Sequence, residues 1–314
     1  MKRILITGAG GFIGANLLRR LIRDGYEVHA LMRTDTNIWR LENVRNQIAI
    51  HHGDLLDSAW INEEVEKIKP HVVIHLAQHG GYPFQKDNQK IFETNLFSTI
   101  HLMNAAESVG VEQFIQTGSS SEYGAKRAPM KESDLLEPNS AYAVSKAAAT
   151  LYCQYRGRDA KLPVVVLRLF SVYGPWEEPG RLMPTVILRA LNDQDLELSS
   201  PDIARDFIYV DDVVDAYMAT MQKKIGGGII MNVCTGQQQT LQIVADEVLK
   251  LHNGKLNITW GGIEKGRSYD TDMWVGDPSL AAQLLDWRPK TTLSNGIKKT
   301  ADWLKDNQRY YEPR

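Results

Sequence analysis

The amino-acid sequence predicts an α/β fold, a doubly wound parallel sheet with a smaller C-terminal lobe. Short apolar runs alternate with helix-length amphipathic stretches, which is the pattern of strands joined by crossover helices. The runs are apolar throughout rather than at every second residue, as strands covered on both faces require. A glycine-rich turn, Gly8 to Gly14, joins the first run to the first helix.

In chain order the expected strands are Ile4–Thr7, Val28–Met32, Ile48–His52, Val72–Leu76, Phe114–Thr117 and Val164–Leu169. Ligands of such sheets bind beyond the carboxyl ends of the strands. That places the candidate chemistry at Gly8–Gly14, Arg33, Asp54, Ala77–Gly81, Gly118–Gly124 and Phe170–Pro175. Beyond Gly174-Pro175, prolines and paired glycines break the chain into shorter pieces. The expected division is therefore a dinucleotide-binding domain of residues 1–172 plus 204–232 and a substrate lobe of 173–203 plus 233–314.

Composition narrows the function classes. With 314 residues and 43% hydrophobic content the chain can bury a large core, which excludes disorder. A net charge of −2 offers no basic field for nucleic acid, so a small-molecule partner is expected. No stretch approaches the length of a membrane span, and the basic-then-apolar start Met1–Thr7 reads as a strand rather than a signal segment. The only cysteines, Cys153 and Cys234, form no CxxC pair. No metal site is expected, and a reducing, cytoplasmic setting is.

The turn Gly8-Ala9-Gly10-Gly11-Phe12-Ile13-Gly14 opens a helix running through Leu17, Leu18, Leu21 and Ile22. Gly8 suits a tight turn, Gly11 close approach of the backbone to a pyrophosphate, and Gly14 the packing of helix on strand. The helix N-terminus supplies N–H groups for the anion. At the end of the second strand, Met32 stands where an acid would bind a ribose hydroxyl, and Arg33 follows it. This favours NADP(H); Asp35 keeps NAD(H) as the alternative.

After Pro138-Asn139-Ser140, the stretch from Ala141 to Ala149 reads as a helix with Tyr142 and Lys146 at i and i+4 on one face. An ammonium roughly 4 Å from a phenol favours phenolate by about 4 kcal/mol at an effective dielectric near 20. That would bring the tyrosine's titration towards neutrality, where it can exchange protons. Gly118-Ser119-Ser120-Ser121-Glu122-Tyr123-Gly124 adds hydroxyls just after a strand, although a serine-rich turn can also be bonded to itself.

GAGGFIG, Asp54, GSSSEYG, YAVSK, LRLFSVYGP and RDFIYVDD, in that order over essentially the whole chain, resemble the extended short-chain dehydrogenase/reductases. The resemblance implies a Rossmann-like domain and makes Tyr142 the acid/base. Lys146 would be its helper and nicotinamide-ribose ligand, and Ser119 the residue that orients the reacting oxygen. It implies cofactor contacts at Gly8, Gly10, Gly11, Phe12, Ile13, Gly14, Arg33, Asp54, Leu55, Ala77, Tyr142 and Lys146. Substrate contacts are expected at Ser120, Ser121, Ser171, Arg181, Arg205 and Arg267, the arginines suiting a nucleotide diphosphate. Asn95 matches a position that braces the active-site backbone, whereas Asp211 and Asp212 read as helix caps.

Family members that dehydrate a nucleotide hexose carry carboxylates where this chain has Ser120 and Ser121. Glu122, one place later, should point to the opposite face of a regular strand. Reduction and epimerisation remain. Arg33 favours an NADPH-dependent 4-keto reductase of a nucleotide-linked 4-keto-6-deoxyhexose, as in deoxysugar biosynthesis. A 4-epimerase with retained NAD is the alternative, and a non-catalytic dinucleotide sensor is disfavoured by the Tyr142/Lys146 pair. Helices over Thr94–Val109 and Tyr142–Tyr155 match the family's dimer interface, so a homodimer is expected.

Overall fold

A computed structural model describes residues 1–82, 84–158, 162–223, 225–251, 256–261 and 270–311. Its first half runs β1 (Arg3–Thr7), α1 (Phe12–Arg23), β2 (Glu27–Met32), β3 (Ala49–His52), α2 (Ser58–Ile68), β4 (Val72–His75), α3 (Asn88–Phe92), α4 (Ser98–Ser108), β5 (Gln113–Ser119), α5 (Ala141–Arg158) and β6 (Val164–Leu169). The remainder runs β7 (Ser171–Tyr173), α6 (Leu182–Leu191), β8 (Leu196–Leu198), β9 (Ala204–Arg205), β10 (Phe207–Tyr209), α7 (Val210–Gln222), β11 (Ile229–Val233), β12 (Gln239–Thr240), α8 (Leu241–Lys250), β13 (Ile258–Trp260), α9 (Ser279–Leu285) and α10 (Leu293–Asn307).

Seven parallel strands form the central sheet in the order β11-β6-β5-β4-β1-β2-β3. Alternate residues of each strand serve opposite cores. Ile4, Ile6, Ile74, Ile115, Val165 and Leu167 pack with Leu17 and Leu18 of α1 and Val213 and Tyr217 of α7. Leu5, Val73, Phe114, Val164 and Val166 pack with Ile61 and Val65 of α2 and Leu102 of α4. Both faces are covered, which explains the uninterrupted apolar runs. The strand order reverses between β1 and β4, so the crevice of a doubly wound sheet opens there, at their carboxyl ends.

A separate core, built from Met183, Val186 and Ile187 of α6, Val244 and Val248 of α8, and Ile297 and Leu304 of α10, forms the second lobe. The six expected strands are present to within one or two residues, and β11 adds a seventh that belongs to the sheet although it comes late in the chain.

Two expectations change. The helix expected over Thr94–Val109 begins earlier and is interrupted: α3 passes through a π-helical turn, Glu93–Phe97, into α4. Asn95 lies in that turn, a device often found where a helix serves a site. Asp211 and Asp212 do not cap α7, whose cap position is Tyr209; both lie in its first turn. The Asp212 carboxylate instead accepts the backbone N–H groups of Lys290 and Thr291, each at 3.0 Å, tying the loop before α10 to α7.

Candidate active site

A cleft of about 1400 Å³ lies across the carboxyl ends of the strands, between the sheet and the second lobe. Ligand pockets are commonly about 300–1,000 Å³, so this one suits two ligands side by side. All the expected cofactor and substrate residues among the described ones line it except Lys146. Arg267 lies outside the described residues.

At the dinucleotide end, Gly8 has φ +69°, and a Cβ there would come within 2.7 Å of the Ala77 nitrogen. Only glycine fits this turn against the end of β4. A Cβ on Gly14 would lie 2.1 Å from the Gly8 carbonyl oxygen, so glycine lets α1 start directly over β1. The α1 cap residue, Gly11, provides no side-chain cap, and the residues of this N-terminus line the cleft. Its N–H groups are donors suited to a diphosphate, so the site fits a dinucleotide.

Arg33 reaches the cleft rim, but its Nε lies 3.1 Å from Asp35 Oδ1, so the two residues that pointed to different cofactors pair with each other. Asp54 lines the cleft and accepts the Leu56 N–H at 2.9 Å within its own turn; Asp57 is the cap of α2. The Asn95 side chain accepts the His79 N–H and donates to the His79 carbonyl and the Ser145 hydroxyl, each at 2.8 Å. The expected brace between the loop after β4 and α5 is therefore in place.

Ser119 ends β5, and the chain then coils into a short 3₁₀ turn, Ser120–Tyr123. The Ser119 hydroxyl lies 2.8 Å from that of Ser121 and accepts the Ser121 N–H at 3.2 Å. Ser120 is buried and accepts a bond from Trp274 Nε1 at 3.1 Å. All three serines face the cleft, so the turn is both self-bonded and presented to a ligand. Glu122 does not line the cleft; it folds beneath the turn and is fully buried against Arg168.

The Tyr142–Lys146 pair differs most from expectation. The Tyr142 hydroxyl donates to Gln78 Oε1 at 2.8 Å, whereas Lys146 Nζ donates to the Thr117 carbonyl at the end of β5. A buried ammonium needs an acceptor, and the strand-end carbonyl supplies one. Burial pushes Tyr142 up to about 12, opposed by a Ser119 hydrogen bond and Arg181 and helped by Glu122. Burial also lowers Lys146 to about 8, against the opposing pull of Glu122. The phenol thus rests protonated, while Lys146 is engaged by the strand-end carbonyl. His75, bonded to Thr7 at 2.6 Å, is lowered to about 3 by burial and by Lys146, so it is neutral.

Towards the second lobe, the backbone of Ser171 is fixed by the Asp206 carbonyl at 3.0 Å, and Arg181 immediately precedes α6 beside the Tyr82 ring. Arg205 pairs with Asp270 at 2.6 Å. Asp206, buried beside it, receives the N–H groups of Thr235, Gly236 and Gly276 and thereby fastens three loops together. Sequence reasoning missed Asp270 and Trp274, whose partners lie far away in the chain, and assigned no role to Gln78 within the candidate stretch Ala77–Gly81. It also missed Glu177, a cleft residue whose acid burial pushes up to about 8; an acidic pair after Gly174-Pro175-Trp176 was its only signal.

A family model described as "NAD dependent epimerase/dehydratase family" matches residues 4–234. The human protein described as dTDP-D-glucose 4,6-dehydratase is 30% identical, with 98% of this chain and 91% of that protein aligned. Among solved structures, UDP-glucuronic acid 4-epimerase from Bacillus cereus, in complex with UDP-glucuronic acid and NAD, is 26% identical with a TM-score of 0.86 over 97% of this chain and 99% of that one. UDP-glucose 4-epimerase from Thermotoga maritima, 24% identical with a TM-score of 0.89 over 98% and 99% of the two chains, shares the fold. The glycine turn at a helix start, the serine turn and the tyrosine facing it thus lie inside the matched region, and the chain belongs to the NAD-dependent epimerase/dehydratase family of enzymes.

Proposed function

We propose that this enzyme is a nucleotide-sugar 4-epimerase that keeps NAD bound through its cycle. The carrying observation is the cleft face of the serine turn, which presents Ser119, Ser120 and Ser121 and no carboxylate, while Glu122 is held away from it. A dehydratase needs an acid and a base at that face, so the likeness to a 4,6-dehydratase carries over as fold and cofactor chemistry rather than as elimination. The likeness to a 4-epimerase with bound NAD supports epimerisation.

A nicotinamide held there would supply the acceptor and donor for the C4 hydride. The glycine turn and the α1 N-terminus would hold the diphosphate of the dinucleotide. Ser119 orients the C4 oxygen, and Tyr142 removes its proton and later restores it. Since Tyr142 rests protonated, its work as a base is favoured by positive charge brought near the phenol, and Lys146 on the same helix is one source of it.

A second reading, an NADPH-dependent 4-keto reductase, is favoured by Arg33 at the cleft rim beside Met32. One experiment separates them. The purified protein should carry NAD, seen by mass spectrometry after denaturation, and should interconvert C4 epimers of a UDP- or dTDP-hexose with no added cofactor. Cofactor-free protein that oxidises NADPH only when offered a 4-keto-6-deoxy nucleotide sugar would establish the reductase instead.

We also propose a homodimer through α4 and α5. Val144, Leu151 and Tyr155 are exposed along one side of α5, and Phe97 is exposed just before α4. Such a set of apolar side chains marks a contact surface. Light scattering at micromolar concentration should give twice the chain mass, and Leu151→Glu should give the single mass; a monomeric wild type overturns the proposal.

A further inference from the structure

Beneath the serine turn lies a buried ion pair to which the proposed chemistry assigns no part. Glu122 and Arg168 are both essentially inaccessible, with Arg168 Nε 2.8 Å from Glu122 Oε2. The other carboxylate oxygen, Oε1, accepts the Ser119 N–H at 2.7 Å. Arg168 also lies against the Tyr123 ring, 4.6 Å from its centroid, so the guanidinium is fixed on a second side. A Cβ on Gly118 would approach Glu122 Oε1 to 2.9 Å and Arg168 Cγ to 3.0 Å, so the backbone of β5 has been brought close over this pair.

Burying two charges is costly, and an apolar pair of similar volume often serves stability as well or better. From this pair the Glu122 charge reaches the Ser119 backbone, Tyr142 and Lys146 together. We infer that Glu122, clamped by Arg168, is a positioning residue of the reaction: it fixes the Ser119 turn and sets the electrostatic field on Tyr142 and Lys146 without touching substrate. This rests on the proposed roles of those three residues.

The direction of the field follows from the surroundings. Tyr142 is faced by Glu122, Arg181 and Tyr82, and Glu122 disfavours its phenolate. Lys146 is faced by Glu122, Cys153 and His75, and Glu122 favours its ammonium. The anion therefore holds Lys146 charged inside an apolar wall at the expense of a more reluctant phenol. Neutralising it should lower the titration of both groups together.

The test compares Glu122→Gln, Arg168→Lys and the doubly neutral Glu122→Gln/Arg168→Met, using the full-length enzyme with its cofactor. Glu122→Gln should reduce kcat on the order of ten- to a hundredfold through the displaced serine turn, with KM little changed. Both limbs of its kcat/KM profile should move down by roughly one pH unit. Arg168→Lys keeps the carboxylate, so its rate should fall while its profile stays in place. The double variant removes both charges without stranding either; it should fold even if Glu122→Gln does not, and should show the same downward move. An unmoved profile in the charge-neutral variants overturns the inference, as does an unchanged kcat. Tyr142→Phe serves as the separate check: turnover surviving in it refutes the catalytic assignment itself, whatever Glu122 does.

Discussion

Tyr142→Phe should reduce turnover by about 10²–10⁴-fold while leaving dinucleotide binding within about twofold of wild type. The phenol is a titratable group of the cleft placed beside the Ser119 hydroxyl, and phenylalanine preserves the ring and its packing while removing the proton that the proposed reaction exchanges with the C4 oxygen. The lost bond to Gln78 is at the cleft wall, where water replaces it, so the fold should be unaffected. The proposed dinucleotide cradle is built by β1, α1 and the end of β2, none of which carries Tyr142. Steady-state kinetics together with NAD titration by fluorescence would measure both halves. Turnover within tenfold of wild type would show that proton transfer proceeds elsewhere.

Gly14→Val should abolish dinucleotide binding and leave little soluble protein. Its Cβ would lie 2.1 Å from the Gly8 carbonyl oxygen and 2.9 Å from the Ala9 Cα, and both are backbone atoms of the turn proposed to cradle the diphosphate. No rotamer relieves a clash at Cβ, so α1 must lift from β1 and take its N-terminal donors with it. Gly25→Ala is the control. Gly25 also has positive φ, +79°, but a Cβ there meets nothing within 4 Å, so the cost is confined to backbone strain of about 1 kcal/mol. Calorimetric NAD titration and thermal melting of the two variants should separate them clearly; a Gly14→Val protein that binds NAD normally would show that the helix start is not what holds the cofactor.

The glycine turn was legible in the sequence because its constraint is local: a turn, a helix start and a close approach, all within seven residues. The sheet was legible because two-sided burial leaves an apolar run. The Tyr142–Lys146 spacing was correct as helix geometry, but what each side chain bonds was not, since Gln78 and the Thr117 carbonyl come from other strand ends. Glu122 illustrates a further limit. Extending the strand by alternation placed it on the opposite face, which kept it out of the cleft as found; the 3₁₀ turn and Arg168, 46 residues away, give it an interior partner that no local pattern announces. Arg205 was expected as a diphosphate ligand, and its partner Asp270 lay in a stretch with no strong periodicity. NADP(H) was inferred from Met32 in place of an acid and from Arg33, with Asp35 as the opposing signal; that Arg33 and Asp35 pair with each other was not foreseen.

The late position of β11 bears on how the chain is made. Its neighbour β6 ends at Leu169, yet β11 starts only at Ile229, after the chain has passed through α6 and α7. During synthesis at about 5–20 residues per second, the sheet therefore waits on the order of three to twelve seconds with Val164–Leu169 as an open edge of alternating unpaired N–H and C=O groups. A bare apolar edge of that kind recruits other strands. Slowing the ribosome between codons 170 and 229 should thus raise the aggregated fraction of new protein, and severing the chain after residue 172 should yield a first domain that stays sticky rather than a free-standing fold.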